Sequence, residues 1–293
     1  MKEVGIFILT YNRVKTLLVT LKSIQNQLFT DFDIIISDNS TNDETEKALE
    51  PILLCDKRIK YFRRGNICPS FVEHINYTIR NNEYEYFMMF HDDDEMLPNM
   101  VGDLYDTIKK DNSLSAVATN AYWVKKGKRK LYYNESKDVV LQNCREMALR
   151  YVNGRISPFP SYMYSGKHVK DLSCKMEEGG KYSDTSFVIS LLTKGKVILL
   201  SSPRMLYHIS DGQLSQTHDF KQYSLLLNHM RVYLDNDELK PLRIFNIYSE
   251  ASKVMTNTGV AYWRKKIFFT LLKYSPTNYF LKYVVQLLGY RNK

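Results

Sequence analysis

The sequence predicts an α/β fold, with a mostly parallel sheet flanked by helices and a helical C-terminal extension. Three observations predict it. Short, nearly all-apolar runs alternate with segments whose apolar residues recur at helical spacing. Polar clusters follow those runs directly, where a parallel sheet presents its carboxyl ends. Of 293 residues, 44% are hydrophobic and 25% charged, a globular balance that excludes disordered and collagen-like chains.

The elements follow in order. Val4–Leu9 reads as a strand buried on both faces. Leu17, Leu18, Leu21, Ile24 and Leu28 share one helical face. Phe32–Ile36 is a second strand. Thr41–Leu54 is a helix with acids near its start, and Ser40, Thr41 and Asn42 are its capping candidates. Ile59–Phe62, Ser70–Arg80 and Tyr86–Phe90 read as strand, helix and strand, the last ending in HDDDE. Right-handed crossovers would make these strands parallel. The middle is less regular. Ala116–Val124 is a strand, Lys125–Lys130 a basic turn, and Val139–Val152 a helix. Ser161–Ser165 is a short strand, EEGGKYSD a loop and Thr185–Thr193 a helix. Val197–Leu200 and Met205–Ile209 are two strands, and from Asp219 the pattern is helical to the end. The best boundary candidate is Asp211–Asp219.

The net charge of +9 is unevenly placed. Residues 240–293 hold ten bases and one acid, so the first 239 residues carry 31 charges of each sign. The body is neutral and the tail basic, which argues against a body that binds polyanions generally. Tyr262–Tyr290 mixes aromatics with Arg264, Lys265, Lys266, Lys273 and Lys282, and Tyr279–Leu288 has an apolar helical face. Such a segment suits an anionic membrane surface. The competing reading is a helix packed on the body or on a second copy. No nucleic-acid motif accompanies the basic tail, so no nucleic-acid partner is expected. No apolar run is long enough for a signal segment or a membrane span. Cys55, Cys68, Cys144 and Cys174 show no CxxC spacing, which fits a reducing cytoplasm.

Asp92, Asp93 and Asp94, with Glu95 beside them, end a buried apolar strand. Neighbouring carboxylates repel unless a cation or solvent screens them, and hard divalent ions take carboxylate with phosphate oxygen. An exposed acidic turn is the plain alternative, but the position after MMF at a strand's carboxyl edge favours metal.

This cluster resembles the DxD motif of sugar-nucleotide glycosyltransferases. Four further segments resemble family 2 glycosyltransferases of GT-A fold, in the family's order: IFILTYNR, SDNSTND, GGKYSDTSF and YHISDGQLSQ. The resemblance covers roughly residues 4–216. It implies a catalytic domain over 1–216, with a nucleotide-sugar half to about 98 and an acceptor half after it, and a basic-aromatic extension over 217–293. It implies that Thr10, Tyr11 and Arg13 touch the donor nucleotide, that Asp38 reads the uracil imide, and that Asn76 lies on the donor side. Counting forward from the strand end gives Asp92 and Asp94 as the DxD pair, whereas counting back from Pro98 puts His91 in the first Asp slot. Asp94 is the expected ligand of Mn²⁺ or Mg²⁺, with Asp92 and Asp93 shared between ribose and metal. Asp184 matches the catalytic base, and a helix cap is the competing reading for it. The family's Glu-Asp is Ser183-Asp184 here. Its closing Arg and His slots hold His208 and Ser210, leaving His208 as a substitute metal ligand. Gln213 and Ser215 would form a loop over the donor phosphates.

The resemblance thus implies an inverting, metal-dependent transfer from a nucleotide-sugar donor, UDP-linked, to a hydroxyl of a glycan on a lipid carrier. The setting would be bacterial capsule, O-antigen or other surface polysaccharide synthesis, at the inner face of the membrane, with a homo-oligomer open. The alternative is a catalytically silent partner subunit that keeps the donor fold.

Overall fold

A computed structural model describes residues 2–68, 70–209 and 218–258. The expected aromatic-basic stretch over 262–290, including its apolar face over 279–288, lies outside these residues, as do Ser210, Gln213 and Ser215.

The first part alternates as expected. It runs β1 (Val4–Thr10), α1 (Val14–Gln25), β2 (Phe32–Asp38), α2 (Glu44–Cys55), β3 (Ile59–Arg63), α3 (Phe71–Arg80) and β4 (Tyr86–His91). β1 and β2 are buried along their whole length, because α1, α2 and α3 leave neither face to solvent. Leu28 departs from its expected place. The helix ends at Gln25, and Leu28 is 73% exposed. The cap of α2 also differs: Asp43 precedes the helix, and the Asn42 side chain accepts the Glu44 N–H.

The second part is β5 (Glu95–Met96), α4 (Met100–Ile108), β6 (Leu114–Lys125), β7 (Lys128–Leu131), β8 (Val139–Leu141), α5 (Cys144–Val152) and β9 (Tyr162–Ser165). Then come α6 (Gly166–Val169), α7 (Ser183–Ser190), β10 (Lys196–His208), α8 (Phe220–Met230) and α9 (Lys240–Thr258). Two expectations change here. Val139–Val152 is a strand then a helix, because Val139–Leu141 pairs with β10 and Asn143 caps α5 by accepting the Glu146 N–H. The two strands expected over Val197–Ile209 are one, β10, whose register against β6 shifts between Leu200 and Met205. The shift surrounds Pro203, which has no N–H for the ladder.

All strands join one sheet in the order β3-β2-β1-β4-β9-β6-β10-β5, with β7 on β6 and β8 on β10. β1, β2, β3 and β4 are parallel, β9 is antiparallel to both neighbours, and β6 and β10 are parallel. Leu9 lies beside His91, and Thr10 beside Asp38. The first, second and fourth polar clusters therefore meet at one edge.

Two hydrophobic cores cover the two faces of the sheet. One contains α1, α4 and part of α2; the other contains α3, α5 and α7. Tyr223, Leu226, Leu227 and Met230 of α8 lie in the second core. α8, which follows residue 216, thus shares the core of α3, α5 and α7.

Candidate active site

The site is built from the ends of β1, β2 and β4. Asn12 takes a left-handed conformation, φ 51°, that turns the chain out of β1. Its N–H donates to Ser40 Oγ at 2.8 Å, and its side-chain oxygen accepts the Thr41 N–H at 3.0 Å. The β1 and β2 turns are thereby fixed to each other. Tyr11 is left 56% exposed at the rim, with its ring free to stack.

Asp92 is 4% exposed. It accepts Thr10 Oγ1–H at 2.7 Å and the Tyr11 N–H at 3.4 Å, tying the turn after β4 to β1. Burial, opposed by the Thr10 bond, pushes its carboxyl up to about 6. Arg13 donates to Asp93 Oδ2 at 2.8 Å and Asp92 Oδ1 at 3.5 Å. Its guanidinium therefore rests on the acidic turn.

Asp94 is held from α1 and from β10. Its carbonyl accepts Thr20 Oγ1–H from α1 at 2.7 Å, and its Oδ1 accepts the His208 N–H from β10 at 2.9 Å. Its Oδ2 is buried with no hydrogen-bond partner, as is His91 Nε2. Burial first, then the Asp93 charge, raises its carboxyl well above the usual range. Ligand atoms of His91, Asp93 and Asp94 all lie within 4.8 Å of one another. A carboxylate oxygen left without a proton donor, beside a second carboxylate and an imidazole, fits a hard divalent cation.

His208 stands differently from its expected role. Its Nε2 lies 2.7 Å from Glu95 Oε1, and it is His91 that joins the ion-sized cluster. Asp38 is fully buried, and its two oxygens accept the Ser40 N–H at 2.7 Å and the Tyr61 hydroxyl at 2.8 Å. Asn76 has another task. It donates to the Cys174 carbonyl at 2.9 Å and accepts the Cys174 N–H at 2.7 Å, clamping α3 to the segment before α7.

Asp184 lies in the first turn of α7. It is not the cap, which is Tyr182, although its Oδ1 accepts the Thr185 N–H at 2.8 Å. Burial pushes its carboxyl up to about 6. The segment before it is gripped by α8. Gln222 Oε1 accepts the Lys181 N–H at 2.6 Å, and Gly180, at φ 58°, leaves no room for a Cβ against the Gln222 side chain.

Tyr132 connects the two parts of the site. Its hydroxyl is pushed up to about 12 by burial and then by the negative charges of Asp184 and Asp94. Sequence reasoning passed over Asn12, Tyr132 and Tyr61, and set His91 aside. Asn12 alone carried a local signal, as an Asn between a strand and a helix, where left-handed conformations gather.

The sheet and its flanking helices define a GT-A class of fold, with this cluster at its carboxyl edge. The chain belongs to glycosyl transferase family 2, whose model matches residues 5–168. It is 33% identical over 104 residues to the Campylobacter jejuni GalNAc(5)-diNAcBac-PP-undecaprenol beta-1,3-glucosyltransferase, a match spanning 36% of this chain and 34% of that protein. The fold is also that of S. aureus TarS 1-349, solved in complex with UDP-GlcNAc. The TM-score is 0.62 at 16% identity, covering 94% of this chain and 80% of that one. The mannosyltransferase PcManGT from Pyrobaculum calidifontis, solved with GDP-Man and Mn²⁺, matches with TM-score 0.58 at 11% identity, covering 95% and 82%.

Proposed function

We propose that the protein transfers a sugar, with inversion, from a UDP-linked donor to a hydroxyl of a lipid-linked glycan in bacterial surface polysaccharide synthesis. The observation that carries the reading is the cluster of His91, Asp93 and Asp94 at the carboxyl edge, whose ligand atoms lie within 4.8 Å of one another and in which Asp94 Oδ2 is buried without a hydrogen-bond donor. The C. jejuni relative, named as a glucosyltransferase of an undecaprenol-linked glycan, supports the lipid-linked glycan, and the TarS complex supports the UDP donor.

Tyr11 stacks on the base and Asp38, at the end of β2, lies on the nucleotide side. Asp94, Asp93 and His91 would hold Mn²⁺ or Mg²⁺, with Asp92 bracing the turn. A cation there supplies positive charge to the departing diphosphate. Arg13 adds a guanidinium next to the same oxygens. Asp184 accepts the proton of the acceptor hydroxyl as that oxygen attacks the anomeric carbon. The new C–O bond forms on the face opposite the breaking bond to the diphosphate, so configuration inverts. A carboxyl titrating near 6 is ionised at neutral pH yet basic enough for this. Residues 1–216 supply the donor and acceptor surfaces. The protein works at the inner face of the membrane, with the basic tail as a peripheral contact. Among the described residues no helix is long and apolar enough to cross a membrane.

The test is calorimetric titration with UDP, GDP and CDP, each with and without Mn²⁺. Metal-dependent binding of UDP alone is the expected result. Binding of none of the three would remove the donor site from this edge.

A further inference from the structure

β6 and β7 form a ribbon that extends from the carboxyl edge of the sheet, beside the site. Its base belongs to that site. The Val124 carbonyl accepts the Ile209 N–H at 2.9 Å, and Val124 lies in register with His208, whose N–H holds Asp94. Tyr132, just beyond β7, contacts Tyr207 and Trp123 with ring centroids 5.8 and 5.7 Å apart.

The tip is different in kind. Lys125, Lys126, Lys128, Arg129 and Lys130 are all exposed, and none forms an ion pair among the described residues. No acid lies between Tyr122 and Tyr133, on a body whose first 239 residues are neutral. Lys125 pairs with Lys128, and Trp123 with Lys130. Residues two apart on a strand, and their cross-strand partners, share a face. One face of the ribbon therefore presents Trp123, 43% exposed, with Lys125, Lys128 and Lys130.

This arrangement works against the fold. Like charges directly opposite one another on a ladder destabilise it. The two-residue turn places Lys126 at φ 49° and Gly127 at φ 75°. Both turn positions thus have positive φ, where Asn-Gly is favoured and a lysine is strained. An anionic partner offsets the repulsion. The cations stand on an open ribbon and do not converge on a cavity, which suits a charged plane better than a single phosphate. An exposed Trp among lysines suits the headgroup layer of a bilayer.

We propose that the β6–β7 ribbon docks on anionic lipid headgroups and seats the carboxyl edge of the sheet against the membrane surface. The inference rests on the lipid-linked acceptor for its purpose, but not for its test. The docking contact is then separate from the basic tail.

The experiment is sedimentation of the full-length protein with vesicles of phosphatidylglycerol and phosphatidylcholine, against phosphatidylcholine alone, comparing wild type with Lys125→Gln/Lys128→Gln/Lys130→Gln. Each cation at the surface is worth about fivefold in partitioning, so the triple variant should lose roughly 100-fold on anionic vesicles. Its melting temperature should hold or rise, because the opposed lysines are gone. Equal partitioning of variant and wild type would overturn the proposal, as would equal binding of the wild type to neutral vesicles. Release from vesicles by millimolar inorganic diphosphate but not by equal ionic strength of chloride would also overturn it, in favour of a discrete phosphate site. Loss of vesicle binding in the variant, with a wild type inactive on lipid-linked glycans, would keep the ribbon's role and sink the acceptor reading.

Discussion

The proposed donor half, to about residue 98, and the proposed acceptor half after it obey different logic. In the donor half each strand is followed by its own helix, and β1 to β4 pair in parallel. Its site residues sit at strand ends, so local periodicity already places them. In the acceptor half the sheet is assembled from distant pieces. β9 inserts between β4 and β6, β5 pairs with β10, and Lys181, three residues before Asp184, is held by α8 from beyond the closing segment. The proposed donor site is carried by a regular fold, whereas the segment that leads into Asp184, the proposed base, depends on contacts between segments far apart in sequence.

The sharpest separation of the halves is Asp184→Asn. The amide still accepts the Thr185 N–H but cannot take a proton. Turnover should fall by about 10³, within the usual range for a positioned base. Affinity for UDP with Mn²⁺ should stay within twofold by calorimetry. Near-normal turnover would remove Asp184 from its role.

Asp94→Asn tests the other half, and its two readouts move in opposite directions. Asn Oδ1 can still accept the His208 N–H, but the charge for a cation is lost. Mn²⁺-dependent UDP binding should weaken by roughly 100-fold. The melting temperature should rise, because burial disfavours the ionised carboxylate and folding of the metal-free protein at neutral pH must work against it, whereas an amide carries no such cost. Unchanged Mn²⁺ dependence would place the ion elsewhere.

Asn76→Ala cuts the clamp between the halves. It leaves the buried Cys174 N–H and carbonyl without partners, at about 1–3 kcal/mol each. Urea midpoints should drop accordingly. Transfer should suffer more than UDP binding if the clamp serves mainly to register the acceptor half. Equal losses in both would mean the halves respond as one body.

Why some of this was legible follows from the same difference. Val4–Thr10 and Phe32–Asp38 are buried on both faces, so their apolar runs had one consistent reading. The Val139–Leu141 strand has only three residues, and its existence depends on β10, more than fifty residues away. No window of sequence contains that information. The same holds for Asn76, whose partner is 98 residues on, and for Tyr132, one of 22 tyrosines, whose distinction is what surrounds it. Asp92, Asp93 and Asp94 were legible as a group, but not which of them would be tied up. That was decided by Thr10 and Arg13, brought alongside by the parallel register.

Acid should separate activity from folding, with the smallest effect of the set. Burial raises the Asp184 carboxyl to about 6 in the folded protein, against about 4 in the unfolded chain. Its contribution to stability is present below about pH 4 and lost as pH rises through 6, so acid alone does not unfold the protein through this group. His74 in α3 works the other way. It is 3% exposed, and its Nδ1 faces the Asn39 amide nitrogen at 3.2 Å, so Nδ1 accepts and Nε2–H donates to Ser37 Oγ at 2.8 Å. Burial lowers it to about 4, so its contribution is present above pH 6.5 and lost as pH falls through 4. At pH 5 the protein should therefore remain folded by circular dichroism while turnover with saturating donor is about tenfold below its value at neutral pH. A rate profile flat down to pH 5 would exclude Asp184 as the base. A loss of turnover that tracks loss of ellipticity would instead assign the acid limb to His74 and the donor half.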